Sequence, residues 1–159
     1  MGFAHSVVKM LRMKNLEMTN PEKNFIYLDY VNPVKMMYLV GDKMGLDMFL
    51  LDQNGLEIGY WRKANQIHNW FVENIQGGID DCGDYPVTIS QLDELKTLCQ
   101  EVLDDKSKAE ELLPTRAGFF FGSIEYDDYY FDELIDTIRI IDNIKNDDEI
   151  TEISYVASW

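Results

Sequence analysis

Cysteine is scarce in this chain: only Cys82 and Cys99 occur in 159 residues. Two thiols without metal-ligand spacing exclude a zinc cluster and are too few for a disulfide framework. The chain therefore reads as one for a reducing, cytoplasmic compartment. Long apolar runs are also missing. No stretch approaches the ~20 residues of a membrane span. The segment Met1–Met18 breaks its apolar residues with Lys9, Arg12, Lys14 and Glu17, unlike a secretory leader with its unbroken apolar centre. Cations are few, 14 Lys and Arg against 29 Asp and Glu, for a net charge of −15. The deficit is lopsided. Residues 1–43 carry Lys9, Arg12, Lys14, Lys23, Lys35 and Lys43 against Glu17, Glu22, Asp29 and Asp42, a net of +2, which leaves −17 on residues 44–159. A body so acidic repels nucleic acid and anionic membranes, because phosphate binding needs clustered Lys and Arg. It attracts basic surfaces. The plainer reading of the same charge is solubility.

What is present is a large apolar fraction, enough for the core of one domain. Asn24–Val31 and Met36–Val40 read as short strands around Asn32-Pro33. Asn54-Gly55 between Leu46–Asp52 and Leu56–Trp61 is a hairpin signal of the type I′ kind. A helix is expected over Lys63–Gln76, with Ala64, Ile67, Phe71 and Ile75 on its apolar face and Gly77-Gly78 at its end. The stretch Gly78–Val87 reads as a polar loop. Thr88 and Gln91 form a capping box for a helix whose inner stripe is Leu92, Leu95, Leu98, Cys99, Val102 and Leu103. A short helix, Ser107–Leu113, stops at Pro114. Ala117–Gly122 reads as a buried strand. A helix over Asp128–Lys145 turns Phe131, Leu134, Ile135, Ile138 and Ile141 inward, and Ile150–Trp159 alternates like an antiparallel strand. The expected fold class is α+β: a mostly antiparallel sheet with three to four helices packed on it.

Four constellations carry chemistry. In Tyr60–Phe71, the residues Trp61, Asn65, His68 and Val72 share one helical stripe, and Arg62 and Lys63 stand at the helix start. Cations there oppose the helix dipole unless an anion binds nearby. This gives a candidate ligand site of Trp61, Arg62, Lys63, Asn65 and His68, joined by Glu125 and Tyr126, for an anionic, nucleotide-like ligand. The plainer reading is ion pairing and core-edge packing. In Pro114–Tyr130, Gly118 and Gly122 bracket three phenylalanines ahead of interleaved tyrosines and carboxylates, a composition that suits a binding surface. Asp80, Asp81, Cys82 and Asp84 crowd one loop but lack an EF-hand or any full ligand set, so no metal is assigned. Asp128, Asp132 and Asp136 recur every fourth residue of the last helix, about 6 Å apart along its axis. With Asp127 and Tyr130 they form a candidate partner surface whose spacing resembles that of backbone phosphates. Arg139 partly offsets that charge, and a solvated face is the plainer reading. No Gly-x-Ser-x-Gly or Gly-Lys-Ser/Thr motif is present, so no catalytic residue is assigned and no cofactor is expected.

Five segments carry a resemblance: GLDMFL at Gly45–Leu50, YWRKANQIHNWF at Tyr60–Phe71, DCGDY at Asp81–Tyr85, LLPTRAGFFFGSIEYDDYYFDEL at Leu112–Leu134, and YVASW at Tyr155–Trp159. Over residues 44–159 the chain resembles a family of small proteins carried by bacteriophages and prophages. The resemblance brings no assigned activity. It implies a phage-type context, in which such proteins are often host-takeover or counter-defence factors. Residues 1–43 are then an added element or an upstream extension of the acidic domain at 44–159. The expected function is non-enzymatic: binding and inhibition of a host protein with a basic surface, a nucleic-acid-handling or defence factor, in the host cytoplasm. An anion- or nucleotide-binding pocket protein, a ligand sponge or small enzyme, is the alternative.

Overall fold

The structure, a computed structural model, describes residues 45–159. The strands expected at Asn24–Val31 and Met36–Val40, and the question of what residues 1–43 add, lie outside the described residues. Four strands form one antiparallel sheet: β1 (Asp47–Asp52), β2 (Glu57–Arg62), β3 (Asp84–Val87) and β4 (Ile153–Ser158), in the order β2-β1-β4-β3. Four α-helices accompany it: α1 (Asn65–Asn74), α2 (Ile89–Asp104), α3 (Ala109–Leu112) and α4 (Asp128–Lys145). The fold is α+β, as the alternation of patterns in the sequence implies.

Local chemistry sets the element ends. Thr88 and Gln91 form the expected reciprocal capping box on α2. Asp127 caps α4 by accepting from the Tyr130 N–H at 3.1 Å. Gly77 and Gly78 take positive φ (64° and 80°) and turn the chain away after α1. The β1–β2 hairpin forms, but not with the expected type I′ turn. Only Gly55 has positive φ (71°); its N–H donates to the Asp52 carbonyl at 2.9 Å, and Asp52 N–H donates to Leu56 O at 2.9 Å. That is a three-residue loop with a left-handed glycine, and Asp52 Oδ1 secures it by accepting from the Asn54 and Leu56 amides, both at 2.8 Å.

Three other expectations are corrected. Ala117–Gly122 is not a strand; it is irregular chain with a turn at Phe119–Phe120. Only Phe121 of its three phenylalanines is buried. The loop expected at Gly78–Val87 ends in β3, a short edge strand in which Pro86 is tolerated because one side needs no ladder donor. Ile135 faces out rather than in, and Thr137 and Ile144 take inner places on α4.

The register sorts the sheet into two faces, since directly paired residues of antiparallel strands share a side. Met48 pairs with Trp61 and Ala157, and Leu50 with Gly59 and Tyr155; these face the helices. Asp47 pairs with Arg62 and Ser158, and Phe49 with Tyr60 and Val156; these face the other way. On the helix side Trp61 Nε1 donates to Thr137 Oγ1 of α4 at 2.9 Å, and Phe71 of α1 stacks on Tyr155 at 3.9 Å between centroids. Ion pairs from Lys96 to Asp142 and from Lys145 to Asp93 link α2 to α4 at the surface.

Gly59 lets α4 approach β2 closely. A Cβ there would lie 2.7 Å from Ile140 Cγ2 and 3.5 Å from Leu50. Gly59→Ala is therefore expected to destabilise the fold by about 1–3 kcal/mol, read as a lower urea midpoint with an unchanged slope.

Candidate functional site

Helix α1 is short and its inner side is unusually polar: Asn65, Gln66 and His68 are at most 3% exposed. Buried polar groups need partners, and these find theirs in distant parts of the chain. Asn65, at the first helical position, grips residues 116–123. Its Nδ2 donates to the Ser123 carbonyl at 2.7 Å and the Phe121 carbonyl at 3.2 Å, and its Oδ1 accepts from the Arg116 N–H at 3.0 Å. This segment has no β-ladder, so one asparagine side chain satisfies backbone groups that a strand would otherwise pair. Gln66 Nε2 donates to the Tyr130 carbonyl at 3.4 Å.

One turn on, His68 joins a polar chain that crosses four segments. Its Nδ1 lies 2.7 Å from the Tyr155 hydroxyl on β4, and its Nε2 lies 3.0 Å from Asp80 Oδ1 after α1. Asp80 Oδ2 accepts from Arg116 Nε at 3.0 Å, and Arg116 Nη1 donates to Asn69 Oδ1 at 2.9 Å. Burial holds the imidazole below its ordinary pKa; Asp80 opposes this, and the Arg116 guanidinium adds to the lowering. The ring is thus neutral. The tautomer that satisfies both bonds, assigned from the hydrogen-bond network, has Nε2–H donating to Asp80 and Nδ1 accepting from Tyr155. Phe121 and Trp159 close over the ring at 5.4 and 5.5 Å.

This chain is arranged to hold rather than to react. A general base must reach the proton it abstracts, whereas both ring nitrogens of His68 are engaged and the ring is sealed from solvent. A shallow concavity between α1 and α2, lined by Trp70, Asn74, Ser90, Asp93, Thr97 and Leu98, includes none of its members.

The residues expected to form one ligand site are dispersed. Trp61 belongs to β2, not to a helix, and its side chain lies in the core. Arg62 closes β2 and pairs with Asp47 at 3.3 Å, on the face of the sheet away from His68. Asp47 also accepts from the Tyr60 hydroxyl. Lys63 links strand to helix with φ of 63°, and its N–H donates to Leu46 O at 2.8 Å. The helix starts after this pair, so neither cation stands in its first turn. Asn65 and His68 do lie together, both buried. Glu125 and Tyr126 are exposed; Glu125 N–H donates to Ser123 Oγ at 3.0 Å, and Tyr126 packs on Tyr130 at 5.0 Å. The loop carboxylates are drawn apart: Asp80 serves His68 and Arg116, and Asp81 accepts from Gly83 N–H and the Tyr85 hydroxyl. Among the described residues no group of three or more His, Cys, Asp and Glu is placed to hold a metal.

The candidate partner residues are sorted too. Asp128, Asp132 and Asp136 lie on the exposed side of α4. Asp136 pairs with Arg139 at 2.8 Å; Asp128 and Asp132 have no ion pair among the described residues. Asp127 is exposed and spends one oxygen on the helix cap. Tyr130 is buried instead of facing a partner, its hydroxyl donating to Leu113 O at 2.8 Å; the exposed ring is its neighbour Tyr129. Glu133 lies half-buried between Asp132 and Asp136. Burial first, then those two carboxylates, push its pKa up to about 7.

Sequence reasoning missed Arg116, Asn69 and Tyr155 as members of this polar chain. The available signal was Arg116, the only cation between Lys108 and Arg139. No family model, curated protein or solved structure matches the chain. Fold and site together define an acidic α+β domain in which a polar chain, running from buried His68 and Tyr155 to half-buried Asp80 and Arg116, holds a surface loop.

The depressed His68 pKa has a sign. As pH falls below the ordinary histidine value, near 6.5, the unfolded chain takes up a proton before the folded one does. Stability is full above that value and falls as pH drops toward the folded pKa. Glu133, with its pKa raised to about 7, acts in the opposite sense over the same range, so the difference between proteins is the readout: from pH 7.5 to 5.5 the urea midpoint of wild type is expected to fall relative to that of His68→Asn, which is the less stable at both.

Proposed function

We propose that this protein is a non-enzymatic inhibitor that binds a basic, nucleic-acid-handling or defence protein of a bacterial host, acting in the host cytoplasm as a phage-type takeover or counter-defence factor. The observation that carries the reading is the solvent side of α4. Tyr129 (75% exposed) and Ile135 (53% exposed) stand there among Asp128, Asp132 and Asp136. Solubility alone explains the carboxylates but not large apolar groups set among them. Aromatic and aliphatic side chains within a charged border are the anatomy of a binding surface. The carboxylates would steer a basic partner and set its register, and the apolar groups would supply contact area. Among the described residues no helix is long and apolar enough to cross a membrane. The alternative anion pocket has less support, because Arg62 and His68 occupy opposite faces of the sheet.

The test uses immobilised full-length chain and the heparin-binding fraction of a bacterial lysate, which enriches basic nucleic-acid-binding proteins. Wild type is expected to retain a protein that rising salt and added duplex DNA both release. The double variant Asp128→Lys/Asp132→Lys is expected to lose it. Retention that ignores both salt and charge reversal would refute the electrostatic reading.

A further inference from the structure

Residues 118–121 form a tight turn, closed by the Phe121 N–H donating to the Gly118 carbonyl at 3.3 Å. Phe120 occupies its third position with φ of 60°, whereas Phe119 is not left-handed. That is the pattern of a type II turn, whose third position calls for glycine. A bulky residue held there is disfavoured, and such outliers gather at functional sites. Burial does not account for the exception. Phe119 is 79% exposed and Phe120 44%, their rings edge-to-face at 4.2 Å. Glycine in place of Phe120 would relieve the backbone and uncover nothing in the core.

The turn is held from below on every side. Phe121 is buried against His68 at 5.4 Å and Trp159 at 5.9 Å. Asn65 fixes the carbonyls of Phe121 and Ser123. At Gly118 a Cβ would lie 2.4 Å from the Phe121 ring. At Gly122, with φ of 99°, it would lie 3.0 Å from the Lys63 stem, which also runs beside Gly45 below the Phe120 backbone. Lys63 and Phe120 are the two non-glycine residues of positive φ among the described residues, and they come together here. A pair of exposed rings on so firmly held a base loses little freedom on binding, as a contact anchor should.

We infer that Phe119 and Phe120 are the apolar anchor of the interface, inserting into an apolar pocket of a protein partner whose surroundings are basic. The basic character rests on the reading proposed above; the anchor rests on the turn itself. Exposed Glu125, Asp127 and Asp128 follow the turn in the chain and would meet the basic border of such a pocket. A second copy of this chain is disfavoured by its own charge of −15, and an anionic membrane by the same repulsion.

The deciding experiment compares wild type with Phe119→Ser/Phe120→Gly on the same heparin-binding lysate fraction. The variant is expected to unfold at a urea midpoint equal to or above that of wild type and to retain about tenfold less partner or lower still. Equal retention by the variant overturns the anchor, and so does a lowered midpoint, which would make the rings packing elements. Binding of wild type to phosphatidylcholine–phosphatidylglycerol vesicles, or its self-association in sedimentation, lost in the variant, also overturns the anchor by assigning the rings to lipid or to a second copy. The two readings fail separately. If Asp128→Lys/Asp132→Lys loses the partner and the phenylalanine variant keeps it, the anchor is wrong and the acidic surface stands. The reverse pattern supports the anchor and removes the electrostatic reading. If wild type retains nothing, both are contradicted.

Discussion

Helix α1 places Asn65, Gln66 and His68 on the side it turns toward the interior, where each polar atom must be paired or cost on the order of 1–3 kcal/mol. The strands use their backbone groups on one another, so the sheet contributes only the Tyr155 hydroxyl, to His68, and α4 the Tyr130 carbonyl, to Gln66; loops supply the rest. The segment after α1 brings Asp80 to His68, and the segment after α3 brings Arg116 to Asp80 and its own backbone to Asn65. A polar seam thereby decides the course of two irregular stretches that hydrophobic packing would leave free.

The seam joins fold to surface. Because Asn65 and Phe121 fix the segment from inside, Phe119 and Phe120 point outward in a defined conformation. The same segment leads through Ser123 and Asp127 into the cap of α4, so the apolar turn and the acidic helix are continuous parts of one chain path. Exposed Glu125, Asp127, Asp128, Asp132 and Asp136 line that path where it meets solvent. Glu133 beneath them is driven toward protonation, first by burial and then by Asp136 and Asp132.

Helical periodicity was legible because it repeats: α2 and α4 carry an apolar residue every third or fourth position and standard caps. The hairpin was legible from Asn54-Gly55, although the turn type was not, since Asp52 supplies a side-chain acceptor that favours a longer loop. The AGFFFG segment misled because three adjacent phenylalanines read as a buried run. The two flanking glycines were the better signal: Gly118 makes room for the Phe121 ring, and Gly122 takes a left-handed conformation. β3 escaped because four residues containing a proline carry no periodicity. The site was half visible. Asn65 and His68 stood out as polar residues on a helix, but their partners come from far along the chain. Tyr155 is 87 residues from His68, and Arg116 is 51 from Asn65. Distances of that kind are set by topology, which no local pattern encodes.

Residues 116–123 depend on the Asn65 side chain in place of a β-ladder. Amide hydrogen exchange at Arg116 tests this most directly, because that N–H lies in irregular chain and donates to Asn65 Oδ1 at 3.0 Å. Arg116 is expected to exchange as slowly as the β4 amides, opening only with the whole domain. Exchange at the rate of a free loop amide would contradict the account, because the turn above it would then have no fixed base.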